Sequence, residues 1–450
     1  MHSHNHPMTQ ADRQGSPRIV IVGCGFGGLE TARALAGADV HITLIERTNH
    51  HLFQPLLYQV ATAGLSAPAI AAPVRHLFRD QTNVTTLLGE VSDIDAAARA
   101  VVLTDGTRYA YDHLVIAAGA THSYFGRDEW EAHAPGLKTL EDAFEIRRRI
   151  LLAFEEAEKE TDLQRRAAWM NFIVVGGGPT GVEMAGTLAE IAKQTLSGEF
   201  RHIDPAQARV ILLEGSPRAL QAMPEGLSDK ACAQLKRLGV EVHVNARVTS
   251  IDADGVRVQP PEPDVPYTIP TRCVIWAAGV AASGLGQRLA QSTGVALDRA
   301  GRVLVEPDLT LPGHPEISVI GDLAAAKSYA PGTDPKPVPG VSPAAKQMGR
   351  ATGANILRRL RGQPSVPFRY RDYGNLATIG RNAAVVDLVT PVGHFKFSGY
   401  FAWLFWLFAH IYFLIGFRNR IVVLIDWASA YWSRQRYARV VSDVRPPARL

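Results

Sequence analysis

Three glycines and one acid near the start of the chain carry the first chemical signal. Gly23, Gly25 and Gly28 follow the apolar run 19–22, and a second apolar run ends at Glu46. In this spacing the first glycine permits a tight turn, the second lets the backbone approach a pyrophosphate, and the third allows close helix packing. The helix N-terminus offers free N–H groups to the anion, and the acid would accept hydrogen bonds from ribose hydroxyls. The stretch predicts a β-α-β unit that binds a dinucleotide.

The same pattern recurs in the middle of the chain. Gly176, Gly178 and Gly181 follow another apolar run, and the next predicted strand is followed by Glu214. Two such units predict two bound dinucleotides. A carboxylate at this second position would repel a 2′-phosphate and therefore favours NADH over NADPH. The nearby Arg218 leaves NADPH open as an alternative.

Small residues end three further predicted strands. Residues 112–120 include Gly119, and residues 271–280 include Gly279. Such strand ends let the backbone pass close to a cofactor, although simple alanine and glycine turns are the alternative. Asp322 follows a third apolar strand and a glycine. Its carboxylate would either cap the following helix or accept a hydrogen bond from a ribityl hydroxyl of a flavin.

Length and composition fit two or three globular domains. The chain has 450 residues, of which 46% are hydrophobic and 20% are charged, which is close to average globular usage. Cys24, Cys232 and Cys273 lie far apart, without a dithiol motif or a metal-ligand spacing. We therefore expect a reducing compartment, no dithiol redox centre and no metal. No nucleic-acid-binding motif is found, so nucleic acid is not an expected partner.

The first residues lack the features of an export signal. The stretch 1–16 has neither a cationic start nor an apolar core, so we expect a disordered, solvated tail rather than a signal peptide.

Together, these motifs resemble the flavoprotein disulfide reductase superfamily, whose members have two dinucleotide-binding folds. The resemblance implies FAD in the first fold and NAD(P)H in the second. Disulfide reductases and sulfide:quinone reductases need redox cysteine pairs, which the chain lacks. A single-cysteine peroxidase or oxidase remains only through Cys24, which lies in the glycine turn and is better explained by packing.

Four further stretches are similar to the type II NADH:quinone oxidoreductases, the non-pumping alternative NADH dehydrogenases. They read "NHHLFQPLLYQVATAGLSAPAIAAPVR", "GGGPTGVEMAG", "SPAAKQMG" and "HFKFSGYFAW". The fold class expected is α/β, with two Rossmann-like domains and a C-terminal helical segment that anchors the protein to a membrane. The expected boundaries are a tail over 1–16, FAD-binding segments over 17–125 and 286–395, an NADH-binding domain over 126–285 and membrane-associating helices over 396–450.

The resemblance also assigns cofactor contacts residue by residue. The expected FAD contacts are Gly23, Gly25, Gly28, Glu46, Val91, Gly119, Asp322 and Ala345. The expected NADH contacts are Gly176, Gly178, Gly181, Glu214 and Gly279.

Three residues are expected to act in catalysis. Glu183 would orient the nicotinamide and relay protons, or else merely complement a helix dipole. Lys396 matches a lysine at the head of the quinone tunnel and would stabilise a developing quinol anion, or else it is a lysine at the membrane interface. Gln347 is the last glutamine of the family's Ala-Gln-x-Ala-x-Gln pattern, in which Pro343 replaces the first glutamine. Quinone contact at that position is therefore lost or passes to Gln347 or to a backbone group.

The segment 397–420 raises the question of a membrane span. It is long enough to cross a bilayer, but the arginines that follow it would place the NADH-binding body outside the cell by the positive-inside rule. Its small residues Ala402, Ala409 and Gly416 recur every seven positions and predict close packing on protein. We therefore expect a helix that lies at the bilayer surface.

The residues after this segment predict a second, amphipathic helix. One helical face carries Ile421, Leu424, Ile425, Ala428 and Trp432, and arginines follow. This pattern favours an interfacial helix on anionic lipid. A helix in a dimer interface is the alternative.

These observations predict an enzyme that transfers hydride from NADH to FAD and then reduces a membrane quinone to quinol without pumping protons. The expected partners are the quinone, an anionic membrane surface and a second copy of the chain. The expected location is the cytoplasmic face of the inner (plasma) membrane. Two alternatives remain, namely a soluble-type NADH oxidase, peroxidase or ferredoxin reductase, and a non-enzymatic, membrane-bound redox sensor.

Overall fold

The computed structural model describes residues 15–441, and the structural statements below refer to that range. Residues 1–14 of the expected tail, and the arginines beyond residue 441, therefore lie outside the described residues. The α-helices in chain order are α1 (Phe26–Ala34), α2 (Leu57–Ala61), α3 (Ala67–Ile70), α4 (Val74–Leu77), α5 (Leu140–Lys159), α6 (Leu163–Trp169), α7 (Pro179–Glu190), α8 (Glu225–Leu238), α9 (Leu285–Thr293), α10 (Ser342–Leu360), α11 (Tyr400–Phe413) and α12 (Phe417–Ser433).

Short strands make up much of the remainder. In chain order they are β1 (Arg18–Val22), β2 (His41–Glu46), β3 (His50–Leu52), β4 (Ala71–Pro73), β5 (Val84–Leu88), β6 (Val91–Asp95), β7 (Ala100–Leu103), β8 (Arg108–Ala110), β9 (His113–Ile116), β10 (Ala120–His122), β11 (Asn171–Val175), β12 (Arg209–Leu213), β13 (Val240–His243), β14 (Arg247–Ile251), β15 (Gly255–Gln259), β16 (Tyr267–Pro270), β17 (Cys273–Trp276), β18 (Val280–Ala282), β19 (Val303–Leu304), β20 (Thr310–Leu311), β21 (His314–Val319), β22 (Ala324–Ala325), β23 (Lys327–Ser328), β24 (Lys336–Pro337), β25 (Gly374–Gly380), β26 (Ala383–Thr390) and β27 (Gly393–Ser398).

The described residues form two compact units, each assembled from three segments. The first contains the described part of Met1–His51, with Ala72–Thr121 and Ala281–Asp372. Its main sheet has the strand order β20-β21-β9-β1-β2-β5, in which only β20 is antiparallel. Strand β1 forms because Ile19 to Val22 are apolar and buried on both faces, as a central parallel strand requires. Helices α1 and α10 pack together within this unit.

The second unit contains Leu52–Ala71, His122–Val280 and the described part of Tyr373–Leu450. Its parallel sheet has the order β13-β12-β11-β17. Two three-stranded antiparallel sheets, β14-β15-β16 and β25-β26-β27, belong to the same unit. Helix α5 begins with a capping box, in which the Thr139 hydroxyl accepts the Asp142 N–H and the Asp142 carboxylate accepts the Thr139 N–H. The expected domain boundaries stay a prediction; residues 373–395 fall in this second unit.

Two helices follow the β25-β26-β27 sheet. Helix α11 packs on β26, and its Ala402 and Ala409 are buried, whereas Gly416 lies in the turn before α12. No helix in the described range combines the length and the apolar character that a bilayer crossing requires.

Candidate functional site

The first glycine turn connects β1 to α1 and leaves space on one side only. Gly23 has φ +96°, and a Cβ there would lie 2.5 Å from the Ala117 carbonyl oxygen. A Cβ on Gly28 would overlap the Gly23 carbonyl oxygen, so helix and turn are in direct contact. A Cβ on Gly25, in contrast, would meet nothing within 4 Å. The turn is therefore tight on its protein side and open where a pyrophosphate would bind.

The second glycine turn, between β11 and α7, has the same geometry. Gly176 has φ +108° and lies against Ala277, and a Cβ on Gly181 would overlap the Gly176 carbonyl oxygen. Gly178 again faces open space. The two predicted dinucleotide turns therefore share one construction, and each lies in a different unit.

The two predicted ribose-binding acids are fixed in equivalent ways. One carboxylate oxygen of Glu46 accepts the Cys24 backbone N–H at 2.5 Å, and one oxygen of Glu214 accepts the Gly177 N–H at 2.5 Å. Each bond ties the acid to the residue after the first glycine. A carboxylate has about four lone-pair directions, so each acid retains acceptor capacity for ribose hydroxyls.

Other predicted FAD contacts converge near the first turn. A Cβ on Gly321 would lie 3.7 Å from the Ala345 Cβ. A Cβ on Gly27 would lie 3.4 Å from the Ala345 carbonyl oxygen. Asp322 follows in the same turn and is half-buried. The starts of α1 and α10 and the end of β21 therefore meet, as a cofactor site at the ends of parallel strands requires.

Two predicted FAD residues are placed less directly. Val91 begins β6 and is buried in the separate β6-β7-β8 sheet. Gly119 follows β9 with φ +66° and faces open space. Their contacts with a cofactor stay predictions.

His51 is a buried residue beside the first turn that the sequence reasoning missed. Its Nδ1 lies 2.7 Å from the Cys24 carbonyl oxygen, so Nδ1 must carry the proton. Its Nε2 is buried and has no hydrogen-bond partner in the described part of the chain. Burial lowers the pKa of His51 to about 4, which keeps the ring neutral at pH 7. An orphaned acceptor beside an open glycine turn fits a ligand rich in hydroxyl and N–H groups, as FAD is.

Lys346 and Cys24 complete the surroundings of this turn. The Lys346 ammonium lies 5.0 Å from the Phe26 ring centroid, a cation–π distance, and burial lowers the pKa of Lys346 to about 8. Burial also raises the pKa of the Cys24 thiol, which supports its packing role because a reactive cysteine needs a depressed pKa. In the sequence, Lys346 only occupied the variable position before Gln347 in the Ala-Gln-x-Ala-x-Gln pattern, so its role beside Phe26 was not predicted.

A pocket of about 470 Å³ lies over the second glycine turn. Gly176 and Glu214 line it, as predicted for the NADH site. Arg218, which left NADPH open, donates its guanidinium hydrogens to the Met223 and Gln221 carbonyl oxygens. The other pocket-lining residues are Tyr124, Phe125, Arg127, Trp130, Val175, Leu213, Gly215, Ser216, Ala246, Arg247, Val248, Thr249, Trp276 and Ala278.

Glu183 is a buried carboxyl group on α7. It is 8% exposed, and its Oε1 accepts the Thr378 N–H at 3.3 Å. Burial raises its pKa to about 8, despite the opposing Thr378 N–H. The buried Trp406 indole N–H on α11 is near enough to favour the charged form, but it makes no hydrogen bond of normal geometry. Glu183 is therefore protonated at neutral pH and holds a proton inside the second unit.

The side chains of the other two predicted catalytic residues differ, because one is exposed and the other is hydrogen-bonded to the backbone. Lys396 is exposed on β27, in register with Asp387 of β26. Gln347 donates from its amide to the Arg371 carbonyl oxygen at 2.9 Å and accepts the Arg371 N–H at 2.8 Å. The Gln347 amide is thus engaged with backbone of its own unit. Pro343 lies in the first turn of α10, where a missing N–H leaves no hydrogen bond unmade.

The C-terminal helices present an apolar surface. We call it the C-terminal apolar surface; it comprises the exposed residues Phe401, Leu404, Phe408, Tyr412, Phe413, Phe417, Ile421, Leu424, Ile425 and Trp432. Four of the five residues on the predicted apolar face of α12 belong to it, the exception being Ala428. Several arginines expected to meet anionic lipid are instead engaged within the protein, because Arg420 binds the Leu414 carbonyl oxygen, Arg436 pairs with Glu190, and Arg439 pairs with Glu199.

Comparison with known proteins adds an independent line of evidence. A family model of pyridine nucleotide-disulphide oxidoreductases matches residues 17–349, and a model of the NDH2 C-terminal domain matches residues 373–434. The type II NADH:quinone oxidoreductase Ndh of Mycobacterium tuberculosis is 46% identical over 455 residues, covering 100% of this chain and 95% of that protein. NdhA of the same organism is 47% identical over 444 residues, covering 97% and 92%.

A solved structure shares the fold. NDH2 from Plasmodium falciparum in complex with NADH has a TM-score of 0.83 at 21% identity, covering 94% of this chain and 99% of that chain. The predicted α/β fold class is confirmed. Because the chain carries the duplicated glycine turn and aligns over its whole length with these relatives, it belongs to the type II NADH:quinone oxidoreductases, within the pyridine nucleotide-disulphide oxidoreductase family.

Proposed function

We propose that the protein oxidises NADH and reduces a membrane quinone to quinol, with FAD bound at the first glycine turn and without proton pumping. FAD bound there would supply the redox chemistry, namely two-electron transfer from NADH to the quinone. The observation that carries the proposal is the duplicated glycine turn. Two open turns with anchored acids support two dinucleotides, and the three free cysteines, which lie far apart in the sequence, offer no thiol pair to receive the electrons.

The chain's own residues supply binding, orientation and proton handling. Glu46 and Glu214 hold the two ribose ends, while the helix N-termini of α1 and α7 face the pyrophosphates. His51 accepts a hydrogen bond from the flavin nucleotide. Val91, Gly119, Asp322 and Ala345 are proposed to contact FAD, and Gly279 is proposed to contact NADH, as the family resemblance implies.

Glu183 is proposed as a proton donor. Quinone reduction to quinol consumes two protons, and a carboxyl group with a pKa near 8 carries one at neutral pH. Its position on the helix that follows the second glycine turn supports this role. Lys396 is proposed to attract the developing negative charge of the quinol, and Gln347 is proposed to position the start of α10 through its bonds to Arg371.

We further propose that the C-terminal apolar surface rests on a membrane. So many exposed Phe, Leu, Ile and Trp side chains on two consecutive helices are unusual on a free surface, and aromatic residues favour the headgroup boundary. Arg418 and Arg434 remain exposed beside it and favour anionic lipid. The cytoplasmic face and a homodimer complete the proposal, following the family resemblance.

The test of the enzymatic proposal uses the FAD-loaded protein with liposomes that contain a quinone. We expect one quinol formed for each NADH oxidised, with no acidification of the liposome interior. Electron transfer to oxygen or ferredoxin instead of quinone would identify the first alternative. A flavin that NADH reduces but quinone never reoxidises would identify a redox sensor.

Membrane association is tested by flotation with anionic vesicles. Phe408→Glu and Ile425→Glu should each reduce the bound fraction several-fold, because a charge on this surface must be desolvated to enter the interface. Leu163→Glu is the matched control, since Leu163 is 73% exposed on α6. Equal flotation of all three variants and the wild type would refute the proposed surface.

A further inference from the structure

An exposed phenylalanine lies at the edge of the NADH pocket. Phe125 is 70% exposed, whereas the adjacent Tyr124 is 3% exposed and donates its hydroxyl hydrogen to the Ala134 carbonyl oxygen at 2.8 Å. Tyr124 packs on Trp276, with ring centroids 5.1 Å apart. Both aromatic residues line the pocket, but Tyr124 is held in the core, whereas most of the Phe125 side chain is exposed.

The backbone of Phe125 is held in an unfavourable conformation. Its φ is +54°, a left-handed value that bulky residues seldom adopt. The turn is fixed on its N-terminal side, because the Ser123 backbone donates its N–H to the Gly279 carbonyl oxygen at 3.2 Å and its carbonyl oxygen accepts the Trp276 indole N–H at 2.9 Å. Such strain persists where the surroundings over-determine it, and it concentrates at functional sites.

The phenyl ring lies over a predicted NADH contact. A Cβ on Gly279 would be 2.7 Å from the Phe125 Cζ, so a glycine is needed to make room for the ring. The Phe125 and Trp276 ring centroids are 6.1 Å apart, with the planes at 62°. Phe125, Ala278 and Gly176 line the same pocket.

Strand order indicates which half of NADH reaches the ring. The sheet order is β13-β12-β11-β17. Glu214 follows β12 and would hold the adenosine ribose, while the glycine turn after β11 would hold the pyrophosphate. Gly279 follows β17, on the other side of β11. A dinucleotide that runs from Glu214 across the turn therefore places its nicotinamide half over the end of β17, where Phe125 lies.

From this geometry we propose that Phe125 packs against the nicotinamide riboside half of bound NADH and holds it in place. The inference rests on the proposed function, because it assumes NADH at the second glycine turn. An aromatic ring contributes a large, rigid contact area, and offset or edge-on ring pairs are favourable. The exposed ring in the free protein is then the surface that the substrate covers.

Calorimetric titration of the FAD-loaded protein separates the two halves of the ligand. NAD⁺ contains both halves and does not reduce the flavin, whereas AMP contains only the adenosine half. Phe125→Ala should raise the dissociation constant for NAD⁺ about tenfold and change that for AMP by less than about twofold. The KM for NADH should rise by the same factor as the NAD⁺ dissociation constant. Leu163→Ala is the control and should match the wild type with both ligands.

A second variant separates ring loss from backbone damage. Phe125→Gly removes the ring and also suits a positive φ, so it should lose as much NAD⁺ affinity as Phe125→Ala. Wild-type affinity in Phe125→Gly, or equal weakening of AMP and NAD⁺ in Phe125→Ala, would overturn the inference. A change of oligomeric state with intact NAD⁺ affinity would also overturn it and make Phe125 a subunit contact. Failure of the wild type to bind NAD⁺ would instead refute the proposed function.

Discussion

Replacing Glu183 with glutamine should remove the loss of stability that rising pH causes in the second unit through this carboxyl group. Burial raises the pKa of Glu183 from 4.5 to about 8, so the folded protein retains a proton that the unfolded chain releases. Wild-type stability should therefore fall by about 1.36 kcal/mol per pH unit above about pH 4.5 and level off near pH 8. At about pH 7.5 this amounts to ~4 kcal/mol, which local relaxation and water entry would reduce to about 2–4 kcal/mol.

The glutamine variant has no proton to lose. It should match the wild type near pH 5 and exceed its free energy of unfolding by about 2–4 kcal/mol near pH 7.5. Its side-chain oxygen can still accept the Thr378 N–H, so the hydrogen bond is not the variable.

Urea unfolding of both FAD-loaded proteins over about pH 5 to 8 measures this difference, with the same transition followed throughout. Infrared spectroscopy gives a second readout, because a protonated carboxyl group has a C=O stretch that the variant lacks. Glu190→Gln is the matched control on the same helix; its carboxylate pairs with Arg436, so this variant should be less stable than the wild type. A stability gap between Glu183→Gln and the wild type that stays constant across the range would refute a raised pKa.

Three other substitutions have expected effects that follow from contacts in the structure. Gly28→Ala should abolish FAD retention, measured as bound flavin absorbance after gel filtration, because the new Cβ would overlap the carbonyl oxygen of the first glycine in its turn. Gly181→Ala should retain FAD but lose NAD⁺ binding in calorimetry for the same reason in the second turn; flavin loss in this variant would contradict the assignment. Arg436→Met should lower the free energy of unfolding by about 2–4 kcal/mol, since it leaves the Glu190 carboxylate, whose side chain is only 13% exposed, without its cation, and an unchanged urea midpoint would show that this ion pair contributes nothing.

The sequence predicted the two glycine turns because their geometry depends on residues only a few positions apart. A positive φ at the first glycine and a close helix contact at the third follow from local spacing, and both appear at Gly23 and Gly28. The apolar face of α12 was predicted for the same reason, since helical periodicity is local.

Contacts between distant residues were not predictable in this way. The contact of Lys346 with Phe26, and the bond between His51 and the Cys24 carbonyl oxygen, depend on the tertiary arrangement of separate segments. For Gln347, a motif indicated a quinone contact, but the structure pairs its amide with the backbone at Arg371. A motif identifies a position but does not show which partner its side chain meets.

The ion pair between Glu190 and Arg436 also bears on how the protein is synthesised. These residues are 246 positions apart in the chain, and the second unit draws on three separate segments. A ribosome must therefore translate the segment after α12, which carries Arg436, before the largely shielded Glu190 carboxylate on α7 gains its cation. Since domains generally fold as units during synthesis, the second unit cannot fold fully while its last segment is still being made. We expect a nascent chain stalled before residue 436 to expose Glu190 and the surrounding apolar surface to chaperones.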